Sequence, residues 1–287
     1  MKNILILTDF SDAAKGAFST AKYLAQKSNS VLHVMHTIDS VQKYVDMSLT
    51  TSGDPMIPGF EPELLMQVIE KQKEDAQSQL DEMKSELESG GLQVVLHLTS
   101  GNLIDDINET VHENNVDVLV MGTHGASGFR EAFIGSNAQK VVRNCKVPVL
   151  TVREEVQDID VDCMVFASDY LEFDINEQLP KVKEMAEDLD SELHLLYVNT
   201  PAYFEQSEDT INRMERVAEQ YDLDDAMQYI YNDFNIDEGI MHYSDLVDAD
   251  MIVLVTHGFK GLKRLISDHV SESVVNHSKT PVLVFHV

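Results

Sequence analysis

Hydrophobic positions in the first half of the chain alternate between short apolar runs and longer helical stripes. Residues 4–7 form an aliphatic run that is typical of a buried strand. Residues 13–27 carry apolar side chains at helical spacing behind a candidate N-cap at Ser11 or Asp12. The alternation continues, with predicted strands at 31–37, 94–98, 116–121 and 147–152 and predicted helices at about 63–89, at 103–113 and after 135. This order predicts a parallel, doubly wound α/β sheet with helices on both faces.

The second half repeats this order in a shorter form. Its predicted strands lie at 164–168, 192–198, 228–231, 251–256 and 282–287, and its predicted helices at about 176–189, 210–221, 237–246 and after the loop that follows 256. Ser168 lies 160 positions after Thr8, but Pro281 lies 133 positions after Pro148, so the second copy has lost 27 residues in its middle. We therefore predict two tandem five-stranded parallel-sheet domains, 1–153 and 161–287, joined by an acidic stretch.

Composition adds an acidic surface to this picture. The net charge is −29 and the hydrophobic content is 43%, which suits a soluble globular protein. Such a surface repels phosphate backbones and anionic lipids, so we expect neither nucleic acid nor membrane as a partner. Solubility or adaptation to salt explains the charge more simply than a specific cationic partner does. The two cysteines build no disulfide framework and no signal peptide is recognised, so we predict a cytoplasmic protein.

One segment recurs without a gap, and only its first copy keeps all its glycines. Residues 117–152 recur 133 positions later. Both copies share a Thr-His-Gly, a further glycine and a closing Pro-Val-Leu, which in the first copy are Thr123, His124, Gly125, Gly128 and residues 148–150. The second copy loses two glycines and a serine, because Gly122, Gly135 and Ser136 are replaced there by Val255, Asp268 and His269.

The glycine loop of the first copy follows a predicted strand and leads into a helix. Open α/β sheets bind ligands at the carboxyl ends of their strands, where the strand order reverses. A helix N-terminus offers amide donors and about half a positive charge, so the helix opening at Gly135 and Ser136 can receive a phosphate. Arg130 could neutralise an anion, although a solvated surface position is the alternative for it. Asp268 would instead repel a phosphate in the second copy, although Lys260, Lys263 and Arg264 keep that loop basic and leave binding there open.

The spacing Gly122-x2-Gly125-x9-Gly135-Ser136 resembles the G-x2-G-x9-G(S/T) motif of the ATP-binding universal stress proteins. The opening ILILTDFS, the HTID at the end of the second predicted strand and the terminal VPVLTV are also similar to that family. The resemblance covers essentially the whole chain as two tandem domains. It implies a Rossmann-like fold of the adenine nucleotide alpha hydrolase type.

The resemblance further implies one ATP per chain, with or without Mg²⁺, in the first domain. Adenine and ribose would lie near Asp9, Thr37 and Ile38, and the phosphates near the start of the helix after the loop. The full set of nucleotide-binding residues predicted in this way is Thr8, Asp9, Thr37, Ile38, Gly122, Thr123, His124, Gly125, Gly128, Arg130, Gly135, Ser136 and Asn137. The final strands of the two domains would meet in an internal pseudo-dimer, and further assembly into a homo-oligomer stays open.

Each of these residues also has a purely structural alternative. The loop glycines can serve only tight turns, Asp9 can bond a neighbouring backbone amide, and Ser136 can be only an N-cap. His124 recurs as His257 where the glycines are gone, which favours a structural role for it.

Several catalytic signatures do not occur in the sequence. It has no P-loop, no H-E-x-x-H, no G-x-S-x-G and no C-x-x-C, so we predict no catalytic and no metal-ligating residues. The primary hypothesis is a stress-response protein in which ATP biases conformation or partner choice. The alternative is a nucleotide-free interaction or scaffold protein of the same fold. A third hypothesis is slow ATP hydrolysis or self-phosphorylation.

Overall fold

The computed structural model describes residues 1–38, 62–123, 136–153, 159–171, 175–256 and 268–286. In these ranges the first half contributes five strands, β1 to β5, at Asn3–Leu7, Val31–Thr37, Gln93–Thr99, Val118–Thr123 and Val149–Arg153. The second half contributes β6 to β10, at Cys163–Ala167, Glu192–Asn199, Met227–Asn232, Met251–Thr256 and Val282–His286. Each half therefore has the five strands that the alternating apolar runs predict.

The helices connect these strands in the predicted order. The first half holds α1 to α4, at Asp12–Ser28, Pro62–Ser89, Leu103–Asn114 and Ser136–Asn144. The second half holds α5 to α8, at Leu179–Leu189, Ser207–Gln220, Ile236–Leu246 and Asp268–His277, with a 3₁₀ turn at Pro201–Tyr203. Among the described residues, no helix is both long and apolar enough to cross a membrane.

Local sequence explains where α1 and α3 begin or end. Asn102 precedes α3, and its side chain accepts hydrogen bonds from the amides of Ile104 and Asp105, which satisfies two donors of the first turn. After α1 and α3, Asn29 and Asn115 adopt left-handed backbone angles, with φ of 52° and 48°, which asparagine tolerates at the end of a helix.

All ten strands join one sheet in the order β3-β2-β1-β4-β5-β10-β9-β6-β7-β8. Within each half every neighbouring pair is parallel, and both halves have the same doubly wound order. β5 and β10 pair antiparallel, with Leu150 opposite Leu283. The predicted fold class is thus confirmed, while the domain boundaries 1–153 and 161–287 stay a prediction.

The core is divided by the sheet into two layers. One layer packs α1, α2, α5 and α6 against one face of the sheet, and the other packs α3, α4, α7 and α8 against the opposite face. Successive residues of β1 alternate between them, since Ile4 and Ile6 belong to the first layer and Leu5 to the second. This double burial explains why the strands are continuous apolar runs.

The start of α5 is one of the boundaries that differ from the prediction. The sequence predicts a helix from about residue 176, but α5 begins at Leu179. Residues 175–178 form a turn in which the Gln178 amide donates to the Ile175 carbonyl at 3.1 Å. Pro180 then occupies the second position of the helix, where a missing amide hydrogen costs nothing.

Candidate functional site

The strand order of the first half reverses between β1 and β4, and a cleft opens there at their carboxyl ends. Its empty volume is about 640 Å³, including the part that opens to solvent. Five of the predicted nucleotide-binding residues line it, namely Thr8, Asp9, Thr37, Gly122 and Asn137. Its apolar walls come from Leu7, Met35, Leu103, Met121 and Val141.

The end of β1 is a tight turn that turns Asp9 outward. The Thr8 hydroxyl oxygen accepts a hydrogen bond from the Phe10 amide at 3.0 Å, and Asp9 Oδ1 accepts one from the Ser11 amide at 3.0 Å. Phe10 adopts a left-handed φ of 62°, which redirects the chain into α1. Asp9 is therefore bonded to a neighbouring amide, as its structural alternative predicts, and it is also exposed on the cleft wall.

The ends of β1, β2 and β3 are tied together by side chains. The Thr37 and Thr99 hydroxyls lie 2.9 Å apart, and His36 Nδ1 lies 2.8 Å from the Thr8 carbonyl oxygen. The His36 ring also packs against Phe10 with ring centres 4.5 Å apart. These contacts give the cleft a fixed wall, and the sequence analysis did not assign His36 to it.

Two predicted residues sit beside the cleft instead of lining it. Ile38 is 7% exposed, and its amide donates to the Thr99 carbonyl at 2.9 Å, which continues the β2–β3 ladder. Thr123 is 4% exposed, and its hydroxyl lies 3.4 Å from the Val152 carbonyl oxygen of β5. Their side chains support the sheet around the cleft.

Gly122 has a packing role that the sequence analysis did not identify. A Cβ atom at this position would lie 2.2 Å from the Ala13 carbonyl oxygen and 2.6 Å from its carbon. The start of α1 therefore rests directly on the backbone of β4, and only glycine permits this approach. Ala13, Ala14 and Ser11 line the cleft at this place, so the N-terminus of α1 opens into it. The run of small residues at the start of α1 is the sequence signal for this contact.

The second helix at the cleft is α4, which begins at Ser136. Its second residue, Asn137, is exposed and lines the cleft, so the unpaired amides of its first turn lie nearby. The remaining predicted residues lie outside the described part of the chain, namely His124, Gly125, Gly128, Arg130 and Gly135.

Ser11 adds an unexplained polar atom to this wall. It is the N-cap of α1, yet its side chain makes no capping hydrogen bond. Its buried Oγ finds no hydrogen-bond partner in the described part of the chain. A buried hydroxyl without a partner costs free energy, so a ligand atom in the cleft would satisfy it.

The equivalent turn in the second half is more deeply buried, and the cleft beside it is smaller. Tyr170 stands where Phe10 stands in the first half, with a similar φ of 58°, but it is fully buried. Its hydroxyl donates to the Phe166 carbonyl at 2.9 Å and lies 3.2 Å from the Leu196 carbonyl oxygen. Burial raises the pKa of Tyr170 well above its usual value. The cleft that remains has an empty volume of about 420 Å³.

The helix that follows also withdraws from this place. α1 begins at Asp12, directly after the turn that ends β1 at Leu7, whereas α5 begins only at Leu179, well after β6 ends at Ala167. Val255 takes the register position of Gly122 and is 5% exposed. A valine is compatible here because the helix start no longer rests on the strand. Thr37 is likewise replaced by the apolar Val198.

The described residues offer no candidate metal centre, since they contain no group of three or more histidine, cysteine, aspartate or glutamate residues placed to hold an ion. The cleft of the first half therefore presents hydrogen-bonding groups, one carboxylate and two helix N-termini. This donor set suits a polar, partly anionic ligand with an apolar part.

Comparisons with known proteins agree with this architecture. The sequence model of the universal stress protein family matches residues 1–153 and 179–286. Its second match begins with α5 and omits β6 and the turn that holds Tyr170. The chain is 25% identical over 300 residues to universal stress protein Slr1230 of Synechocystis, with 99% of this chain and 100% of the relative covered.

Two further similarities cover one half and the whole chain. Universal stress protein MJ0577 of Methanocaldococcus jannaschii is 28% identical over 159 residues, which cover 54% of this chain and 96% of the relative. A solved universal stress protein of Archaeoglobus fulgidus shares the fold over 99% of this chain and 98% of its own, with a TM-score of 0.72 and 20% identity. From the family match over both halves, the chain belongs to the universal stress protein family.

Proposed function

We propose that the cleft between β1 and β4 binds one ATP per chain and that the second half binds none. The observation that carries this proposal is the contrast at one register position, where Gly122 lets α1 reach the first cleft and the buried Val255 replaces it in the second half. In the first half the start of α1 supplies amide donors and the Ser11 hydroxyl, which has no hydrogen-bond partner in the described part of the chain. In the second half Tyr170 is fully buried, and the corresponding cleft has a smaller empty volume of about 420 Å³.

The lining residues suggest how the nucleotide would lie. Adenine and ribose fit the apolar wall near Thr37, with Asp9 as an acceptor for an amino or hydroxyl group. The phosphates fit the first turn of α4 near Ser136 and Asn137, together with the glycines of the preceding loop. Local donors are needed here because the net charge of −29 opposes an anion over the rest of the surface.

A binding role suits this donor set better than catalysis. The described lining residues include one carboxylate and hydroxyl groups but no nucleophile held by a base. We propose that ATP acts as a regulatory ligand that shifts the protein between conformations or partners during stress. Mg²⁺ would accompany the phosphates without being required by the protein's own side chains.

The proposal includes the organisation of the chain. We propose that residues 1–153 and 161–287 are two domains that form an internal pseudo-dimer in the cytoplasm. The antiparallel pair of β5 and β10 supports it, because this pair covers an apolar strand edge in each half. Sedimentation of the full chain measures whether further copies associate.

Calorimetric titration with ATP tests the central claim. We expect one site per chain, with the same stoichiometry in the presence and absence of Mg²⁺. Two equal sites would contradict the proposed difference between the halves, and no binding would favour the nucleotide-free scaffold. Phosphate release during the same incubation tests slow hydrolysis.

A matched pair of variants locates the site. Gly135→Asp copies Asp268 into the first half and places a carboxylate at the start of α4, so we expect at least a tenfold loss of ATP affinity. Asp268→Gly is the reverse change, and we expect it to create no second site because Val255 remains and α5 begins only at Leu179. Unchanged affinity in Gly135→Asp would mean that the phosphates bind elsewhere.

A further inference from the structure

The outer edge of β8 is an unprotected sheet edge. β8 is the last strand of the sheet order and pairs with β7, and no described strand lies on its other side. The strand reads MQYIYN, with no charged residue and no proline. Natural sheet edges usually carry such residues because bare backbone donors and acceptors attract other strands. Here Met227 and Tyr229 are exposed instead, by 44% and 38%.

An aromatic cleft lies at the carboxyl end of this edge. It is formed by the ends of β7 and β8 and the turns that follow them, and its walls include Asn199, Pro201, Phe204, Asn232 and Phe234. Phe204 is 72% exposed and Phe234 is 81% exposed. Large apolar side chains that are exposed together mark an interaction site more often than a free surface.

The turn that carries Phe204 is held in place. The Asn199 side-chain amide donates to Asn232 Oδ1 at 3.2 Å, and its oxygen accepts from the Glu205 amide at 3.1 Å. Asn199 is itself 4% exposed, so this link between β7, β8 and the turn is internal. The exposure of Phe204 is therefore a feature of an ordered turn.

Phe234 is held in a similar way from the other side. Its amide donates to Asp233 Oδ1 at 2.6 Å, and Asp233 Oδ2 lies 2.8 Å from His242 Nδ1 on α7. This pairing lowers the pKa of Asp233 and raises the pKa of His242. The two rings thus stand on fixed backbone, which reduces the entropy that a ligand must remove on binding.

An acidic cleft lies at the opposite, amino end of β8. It contains one lysine, Lys183, which lies 3.9 Å from Glu187 and donates to the Tyr221 carbonyl. Its carboxylates outnumber this cation, since its walls carry Glu187, Asp190, Glu192, Asp222 and Asp225. The uncharged edge therefore runs between a negative cleft and an aromatic one.

The geometry points to a docking site on this edge for an extended peptide segment of a partner protein. The segment adds a strand beside β8 over six residues, or ~20 Å. Basic side chains at one end of the segment enter the acidic cleft, and an apolar side chain at the other end enters the aromatic cleft. This site does not depend on the nucleotide proposed for the first half.

Charge decides against a second copy of this chain as the occupant. An antiparallel pair of two β8 strands would bring the acidic cleft of each copy toward Asp233 of the other. Each copy also carries a net charge of −29, so the approach is repulsive at moderate salt. A segment with lysine or arginine is attracted by the same field.

A fluorescent decapeptide is a suitable probe. It carries two lysines at one end, alternating valine and threonine in the middle and phenylalanine at the other end. Its reverse sequence is tested as well, because the direction of the added strand is a result of the experiment. Fluorescence anisotropy with the full chain should show saturable binding of at least one of them, weakened by added salt. Replacing the lysines with glutamates should reduce the affinity at least tenfold.

Two variants on the edge test the site itself. Phe204→Ala combined with Phe234→Ala should lower the affinity about tenfold, because both rings are exposed and their loss leaves the core intact. Tyr229→Lys should have a similar effect by placing a charge on the edge. Val95→Lys is the matched control, because Val95 is 40% exposed on β3, the opposite edge strand. We expect it to change the affinity less than twofold.

Three outcomes would overturn the proposal. The lysine and glutamate peptides could bind equally, or Val95→Lys could weaken binding as much as Tyr229→Lys does. Self-association of the unliganded chain that Tyr229→Lys abolishes would assign the edge to a second copy.

Discussion

The two clefts of this molecule share one framework and differ in what fills them. In both halves the strand order reverses at the same place, and a turn with a left-handed aromatic residue leaves the first strand. In the first half Gly122 lets α1 rest on β4 and the cleft stays open. In the second half Val255 and Tyr170 are buried where the helix has withdrawn. The larger cleft thus accompanies close backbone packing, and the smaller cleft accompanies side chains that replace this packing.

This difference has an energetic side. Burying a large side chain such as Tyr170 stabilises a fold by roughly 1.5–3 kcal/mol, and the first half gives up this contribution at Phe10, which is only partly buried. It also keeps the Ser11 hydroxyl without a described partner. The first half therefore carries the costs that are typical of a binding site, and the second half resembles an ordinary core.

The largest effect is expected from Gly122→Val, which copies the second half into the first. Its Cβ would overlap the Ala13 carbonyl, so the start of α1 must move. We expect a loss of stability of about 3 kcal/mol or more and the loss of ATP binding. Urea unfolding and calorimetric titration measure the two effects.

The reverse change, Val255→Gly, is the control. It removes a buried side chain and should cost about 2–4 kcal/mol without creating a nucleotide site. If Gly122→Val binds ATP normally, the contrast between the halves does not rest on this contact.

A second comparison concerns a histidine that both halves carry at the same register, His33 beside β1 and His194 beside β6. His33 Nδ1 lies 2.9 Å from His97 Nε2, and His33 Nε2 lies 3.4 Å from Asn3 Oδ1. His194 Nδ1 instead lies 2.9 Å from the Tyr243 hydroxyl. Burial, with a smaller effect of His97, lowers the pKa of His33 from 6.5 to about 4.

This shift makes the first half sensitive to acid. Below about pH 6.5 His33 is protonated in the unfolded chain, but in the folded chain it is protonated only below about pH 4. The contribution of neutral His33 to the free energy of unfolding is therefore complete above pH 6.5 and is lost as the pH falls toward 4. We expect the loss of stability between pH 7 and 4.5 to be smaller in His33→Leu by about 2 kcal/mol. Urea unfolding of each protein at both pH values gives its own loss of stability, so the packing change in His33→Leu cancels. An equal loss of stability in the two proteins would contradict the lowered pKa of His33.

A smaller effect is expected at the turn itself. Tyr170→Phe removes the hydroxyl that bonds the Phe166 and Leu196 carbonyls, and we expect it to cost about 1–2 kcal/mol. Phe10→Tyr, the matching change in the half-exposed position, should alter stability by less than about 0.5 kcal/mol. A similar loss of stability in the two variants would show that the two turns do not differ in how their aromatic side chains are buried. Urea unfolding measures both.

The sequence predicts the sheet well because its signal is local. Apolar runs such as those of β1 and β9, the helical stripe of α1 and the asparagine that ends it each specify their own element. The doubly wound α/β class then follows from the alternation of predicted strands and helices along the chain. The family resemblance also implies residues at the cleft, since Thr8, Asp9, Thr37, Gly122 and Asn137 all line it.

What the sequence could not predict depends on contacts between distant residues. The resemblance implies a nucleotide-binding role for Gly122, but its close approach to Ala13 joins positions far apart in the chain. Tyr170 matches Phe10 in the aligned turns, and nothing in the alignment says that one is buried and the other half-exposed. Tyr170 packs in the same core layer as α5, so its burial depends on tertiary packing.

The smallest effect is expected where the two halves meet through their last helices. Arg143 of α4 forms an ion pair with Glu272 of α8, while the aligned positions in the opposite halves are the uncharged Asn276 and Gln139. The Arg143 side chain is 44% exposed, so solvent screens the pair. We expect Glu272→Gln to lower stability by less than about 1 kcal/mol, because the apolar β5–β10 pair holds the halves together. Leu283→Ala in that pair should cost about 2–5 kcal/mol. If Glu272→Gln lowers stability more than Leu283→Ala does, the ion pair joins the halves more strongly than the β5–β10 strand pair.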